Sequence, residues 1–219
     1  MSSKTCSDTD TIEIIPFEPR FQEDVVKLFK LGLSAKTYDL GKTVIEQQKW
    51  FVQSKLSKHE GDMFDIWESF MKQNVDKDPI TSLCKHFWVA VDQSKQQVVG
   101  HIGVIMSTYP KEDQIVYHME DLNPENVCEL VRMGVDKDYR GRNIGKRLFK
   151  TLEDYASRKG MKQIVLSTLD RMTLARKFYE GIGFKLFRET RVPIKEHLGP
   201  GDWENLYVVH YLKSIEKRW

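Results

Sequence analysis

Residues 127–158 read VCELVRMGVDKDYRGRNIGKRLFKTLEDYASR, and two changes of pattern inside that stretch decide the fold. Residues 127–135 form a short apolar run of strand length. Asp136-Lys137-Asp138-Tyr139 and the turn Arg140-Gly141-Arg142-Asn143-Ile144-Gly145 then break it with charge and glycine. From there Ile144, Leu148, Phe149, Leu152, Tyr155 and Ala156 recur at helical spacing as one apolar face, and Gly160 ends the helix. The first N–H groups of a helix have no intrahelical partner and lie at the positive end of its dipole. Small or φ-permissive residues let a phosphate approach them closely. Arg140, Arg142, Lys146 and Arg147 add formal positive charge. A diphosphate-bearing cofactor fits such a turn, and so does a plain basic helix start. A Walker A loop does not: three residues separate Gly141 from Gly145, and Arg147 stands where a magnesium-binding hydroxyl is needed. Gly-x-Gly-x-x-Gly is absent as well.

Working outward, strands and helices interleave. Residues 12–15 read as a first strand closed by Pro16, and residues 20–33 as a helix with Phe21, Val25, Leu28, Phe29 and Leu33 on one side. Residues 37–86 are mostly helical in pattern and rich in aromatics (Trp50, Phe51, Phe64, Trp67, Phe70). Phe64, Trp67, Phe70 and Met71 are expected to form a buried helix face. Residues 87–91 and 98–107 read as an antiparallel hairpin. After the central helix come a strand at 164–169, a helix at 172–181, and strands at 184–188 and 205–212. A loop with Pro193 and Gly199-Pro200-Gly201 separates the last two. The order is mixed α/β, with 1–10 a disordered N-terminus, 11–219 one domain, and 37–86 a helical insertion.

Length and composition agree. The chain has 219 residues, 40% hydrophobic and 30% charged, enough for one core and unlike a disordered or coiled-coil chain. With 34 basic and 32 acidic residues the net charge is +2, which provides no broad field for nucleic acid or an anionic membrane. Cys6, Cys84 and Cys128 outline neither a disulfide framework nor a zinc site. The six histidines show no metal-ligand spacing, so no metal is expected. The polar start lacks a secretory core, and 98–107 is too short to span a bilayer. A cytoplasmic protein is the expectation, a monomer or homodimer without nucleic acid or membrane partners.

Several motifs in order resemble the GCN5-related N-acetyltransferase superfamily. Its Arg/Gln-x-x-Gly-x-Gly/Ala motif falls on 140–145, and Ala175, Phe178-Tyr179 and Gly183-Phe184 match its later helix and strand. Met133-x-Val135-Asp136-x-x-Tyr139-Arg140-Gly141 is most similar to the camello-type members. The resemblance implies a twisted, mostly antiparallel mixed sheet flanked by helices, with acetyl-CoA wedged between two splayed central strands. Two positions depart from the pattern. Asn143 replaces the central glycine, a change that a left-handed backbone tolerates best in Asn. Met172 replaces an Asn that contacts the pantetheine arm, a contact left to Ser167 or Thr168.

The resemblance also implies roles. Glu129, eleven residues before Arg140, matches the family's glutamate base, with Glu120 or Asp121 acting through water as alternatives. By strand parity Glu129 shares a face with Val131, Met133 and Val135. The Val135 N–H is the expected oxyanion donor, with Met133 and Gly134 beside it pairing with pantetheine amides. Arg140, Gly141, Arg142, Asn143, Ile144, Gly145 and Lys146 would hold the diphosphate, and Thr168 and Phe178 would flank the arm. Tyr179 matches the general acid: a phenol near pKa 10 can protonate a thiolate whose thiol lies near 8.5. His101 and His118 are weighed as neighbours of an acceptor, Arg188 and Arg191 as holders of its carboxylate, each against a plainer structural role. Acetyl transfer to a small amine or amino acid is the leading reading. Protein lysine or N-terminal acetylation and a non-catalytic acyl-CoA sensor are the alternatives.

Overall fold

The computed structural model describes residues 11–32, 49, 52–58, 61–72, 84–107, 126–191 and 207–215. The polar N-terminus, Cys6, Trp50, Phe51, His118, Glu120, Asp121 and the 199–201 turn lie outside them, as does much of the 37–86 insertion.

Among the described residues seven strands are present: β1 (Ile12–Pro16), β2 (His86–Asp92), β3 (Gln97–Met106), β4 (Val127–Val135), β5 (Gln163–Leu169), β6 (Lys185–Arg191) and β7 (Tyr207–Ser214). The helices used below are α1 (Gln22–Gly32), α2 (Ile144–Arg158) and α3 (Thr173–Gly181). The strands form one sheet in the order β1-β2-β3-β4-β5-β7-β6. Among the described strands only β4 and β5 pair in parallel, with α2 as the crossover that such a pair requires.

Periodicity sets the two layers that cover the sheet. On one face Leu148, Leu152 and Ala156 of α2, none of them accessible, pack with Tyr179 and Phe184 against Ile102, Val104, Cys128, Leu130 and Ile164. On the other, Val25, Leu28 and Phe29 of α1 meet Phe87, Val89, Val98 and Val131. The segment 61–72 joins this second layer with half of the expected face, Phe70 buried and Met71 packed partly against the cluster. Met63, Ile66 and Phe70 are buried there, whereas Phe64 and Trp67 are 48% and 41% exposed. Two overlapping apolar sets both satisfy helical spacing, and Gln22 selects between them. Its side-chain amide donates to the Met63 carbonyl at 3.0 Å and accepts from the Ile66 N–H at 3.1 Å.

The strand parity expected along β4 does not run its whole length. His101 pairs with Gly134 but Gly103 pairs with Val131, so β4 carries one extra residue. The bulge falls at Arg132, whose φ is +51°. Glu129 and Val131 therefore share the α1 face, while Met133 and Val135 pack against the opposite cluster.

Leu148 is the test of the larger core. Replacing it by Ala should cost about 2–5 kcal/mol of unfolding free energy, measured by urea denaturation; a loss below about 1 kcal/mol would contradict the packing described.

Candidate active site

The parallel pairing of β4 with β5 covers only Val127–Glu129 against Gln163–Val165. Beyond it β4 stays with β3 as far as Val135, β5 stays with β7 as far as Leu169, and the two central strands part. Asp136 N–H donates to the Val99 carbonyl at 2.9 Å, and Val135 stands opposite Gly100. Val135 is thus in a non-hydrogen-bonded pair, its own N–H and C=O turned from β3 toward the gap. The parting begins at Leu130.

The turn after β4 is fixed before the helix starts. Tyr139 donates its hydroxyl to Asp92 at 2.8 Å, and Asp92 also accepts from Ser94 and Thr11. The hydrogen bonds from Ser94 and Tyr139 hold the Asp92 carboxyl well below the usual carboxylate range. Arg142 stacks over the Tyr139 ring at 4.8 Å. Gly141 has φ +80° and Asn143 φ +59°, so Asn143 occupies the left-handed conformation expected of it. The first helical bond runs from Arg147 N–H to the Asn143 carbonyl at 3.0 Å, leaving the N–H groups of Ile144, Gly145 and Lys146 without intrahelical acceptors. Gly145 lies close under Phe178, where a Cβ would sit 3.1 Å from the ring.

Gap and turn share one cavity of about 450 Å³. Of the expected residues it brings together Met133, Gly134, Val135, Arg140, Gly141, Asn143, Ile144, Gly145, Lys146, Phe178 and Tyr179. Tyr179 is 9% exposed, its ring against Phe178, Phe184 and Tyr211. Arg142, Thr168 and Glu129 are not in the lining. The Thr168 hydroxyl donates to the sulfur of Met172, the residue that replaces the family's Asn, at 3.4 Å. Glu129 lies on the α1 face in a field set by Arg132, Lys55 and Asp62. Burial raises its carboxyl to about 7 against the pull of both cations.

The lining also holds residues to which the sequence assigns no ligand role, Leu174 of α3 among them. Leu28, Phe29 and Gly32 of α1 close one end of the cavity; their helical spacing marked a core face without telling that it also meets a ligand space. Arg132 was not singled out; its guanidinium grips Asp62 through Nε, 3.1 Å from both oxygens, and Nη2 at 2.9 Å. His101 is buried against Phe87 and lines the cavity, whereas Arg188 and Arg191 lie on β6, apart from it. Among the described residues no cluster could hold a metal ion, and no helix is long and apolar enough to cross a membrane.

An open sheet whose middle strands part over a helix N-terminus is the frame of one large enzyme class. The profile of the acetyltransferase (GNAT) family matches residues 48–184, and the chain belongs to that family. It is 33% identical over 140 residues to the N-acetylaspartate synthetase of Xenopus tropicalis, covering 64% of this chain and 41% of that protein. Identity to the camello N-acetyltransferase of the same organism is 32% over 155 residues, 71% of this chain and 58% of the other. The chain thus spans roughly half the length of these relatives. Among solved structures, a GNAT acetyltransferase of Staphylococcus aureus superposes with a TM-score of 0.58 at 22% identity, covering 94% of this chain and 99% of that one. The PaiA N-acetyltransferase of Thermoplasma acidophilum, solved with coenzyme A, gives 0.56 at 16%, covering 91% and 97%. These likenesses show the fold.

The left-handed turn makes a direct prediction. Asn143→Val should destabilise the protein by about 1–2 kcal/mol and weaken CoA binding, whereas Asn143→Gly preserves both. Thermal unfolding and calorimetric titration with CoA check it, and equal behaviour of the two variants would contradict a conformational role.

Proposed function

We propose that this chain moves the acetyl group of acetyl-CoA to the primary amine of a small molecule or amino acid, by direct attack in a ternary complex. The observation that carries the reading is the outward-turned edge of Val135 beside the unpaired helix start at Ile144–Lys146. A pantetheine arm is itself a string of amides and would pair with Met133–Val135 as a neighbouring strand does. The diphosphate would lie on the N–H groups of Ile144, Gly145 and Lys146, with Arg140, Arg142 and the Lys146 ammonium balancing its charge. Phe178 would wall the arm, and Thr168 on β5 would meet it by exchanging its hydrogen bond to the Met172 sulfur. The similarity to a relative named for making N-acetylaspartate supports a small acceptor.

Acetyl-CoA supplies an activated acyl carbon and a thiol leaving group. The Val135 N–H points where a carbonyl oxygen gains charge. Tyr179 hands its hydroxyl proton to the departing sulfur. Glu129, outside the lining, takes the first proton from the arriving ammonium through water. Its raised pKa makes it a better acceptor than an ordinary carboxylate, and it is ionised, hence active, only above about 7.

Free CoA release from acetyl-CoA, measured across amino acids, polyamines, arylalkylamines, cysteine conjugates and lysine peptides, tests the reading. A small amine should stimulate release; stimulation by peptides alone would make it a protein acetyltransferase. Tyr179→Phe should lower kcat about 100-fold while CoA affinity holds; unchanged turnover would contradict the acid role. In the wild type kcat should rise with pH through about 7, and Glu129→Gln should abolish that acidic limb.

A further inference from the structure

A primary ammonium loses two protons on its way to an amide, one before it can attack and one as its nitrogen bonds to the acyl carbon. Resting on the acetyl-transfer reading above, we propose that His101 is a catalytic residue that accepts the second proton, through Nε2, at the junction of the cavity and the β4 bulge.

The tautomer follows from the bulge. His101 Nδ1 lies 2.5 Å from the Arg132 carbonyl. A carbonyl only accepts, so Nδ1 carries the hydrogen and Nε2 presents a lone pair. That Nε2 has no hydrogen-bond partner among the described residues, in a side chain 1% exposed. An unsatisfied buried acceptor is costly, and such a group in a lined cavity is accounted for when a ligand donor meets it. The ring is held on both sides, stacked on Phe87 at 5.9 Å and edge-on to Phe29 at 6.4 Å. Gly134 completes the arrangement. A Cβ there would stand 2.7 Å from Nε2, so any side chain at 134 would cap the lone pair. Gly134 is also the neighbour of Val135, the proposed oxyanion donor, which brings the acceptor atom beside the reacting carbonyl.

Charge type singles the histidine out. Among the described residues lining the cavity, the ionisable ones are His101, Tyr139, Arg140, Lys146 and Tyr179. Of these side-chain types only histidine, in its neutral form, presents a basic nitrogen lone pair, so His101 is the group in the lining built to take a proton. Burial, opposed by the Arg132 carbonyl and aided by the Arg132 charge, lowers its pKa to about 4, which keeps it neutral and ready to accept. So weak a base suits a nitrogen made acidic by the bond it is forming, not a free ammonium near pKa 10. Glu129, closer to neutrality and outside the lining, serves the first proton.

The step balances. The amine lone pair forms the N–C bond and the C–S bond breaks, its electrons leaving on sulfur. The amine proton passes to His101 Nε2 and the Tyr179 proton to the thiolate. The imidazolium then returns its proton, through water, to the tyrosinate.

His101→Asn retains an N–H donor toward the Arg132 carbonyl and deletes the Nε2 acceptor. With the amine that gives the fastest CoA release, this variant should lose about 100-fold in kcat while CoA binds within about threefold of wild type. Turnover within about threefold of wild type would overturn the inference alone. A wild type that releases no CoA with any amine would overturn both this step and the transferase reading. Should the variant not fold, long-range 15N–1H spectra of the wild type with CoA decide. An Nδ1–H tautomer with bare Nε2 at pH 7 is required, and an Nε2–H tautomer or an imidazolium overturns the proposal.

Discussion

The parting of β4 from β5 is the constraint on which the rest depends. Two central strands that separate inside a covered sheet expose N–H and C=O groups where neither strand nor bulk water naturally satisfies them. Val135 turns its pair of groups into that opening because Asp136, one residue later, is tied to Val99. The same opening leads to the start of α2, where three more N–H groups lack intrahelical acceptors. A ligand that is amide along its length and anionic at one end answers both needs at once. This explains why the family fold and the site are inseparable here.

The bulge at Arg132 governs what stands on either side of the gap. Without it, Glu129, Val131, Met133 and Val135 would share one face. The extra residue instead leaves Glu129 and Val131 facing α1 and turns Met133 and Val135 to the opposite cluster. A left-handed non-glycine residue costs about 1–2 kcal/mol. Two attachments oppose that cost: the Arg132 carbonyl accepts from His101, and its guanidinium grips Asp62. The bulge therefore links β3, β4 and the 61–72 segment around the acceptor side of the cavity.

Much of this was legible in the sequence, and the reasons are local. Residues 127–158 change from strand to turn to helix with clear punctuation, and observed β4 and α2 follow that punctuation closely. Asn143 was readable because few non-glycine residues accept positive φ. What was not legible depends on partners far along the chain. The bulge has no glycine or proline at Arg132 to betray it, and the buried set 63/66/70 cannot be told by spacing from the expected 64/67/70/71 until Gln22 ties Met63 and Ile66 down. His101 was legible only as a candidate neighbour of an acceptor. It lies in an apolar strand like any core histidine, and only the pairing with Gly134 sets its Nε2 beside the cavity.

Hydrogen–deuterium exchange with and without CoA tests the central claim most directly, because the claim concerns named backbone amides. Binding should protect Met133–Val135 and Ile144–Lys146 together, while β1 and β2, on the far side of the sheet, exchange as before. CoA binding that leaves Val135 and Ile144–Lys146 unprotected would contradict a ligand lying between β4 and β5.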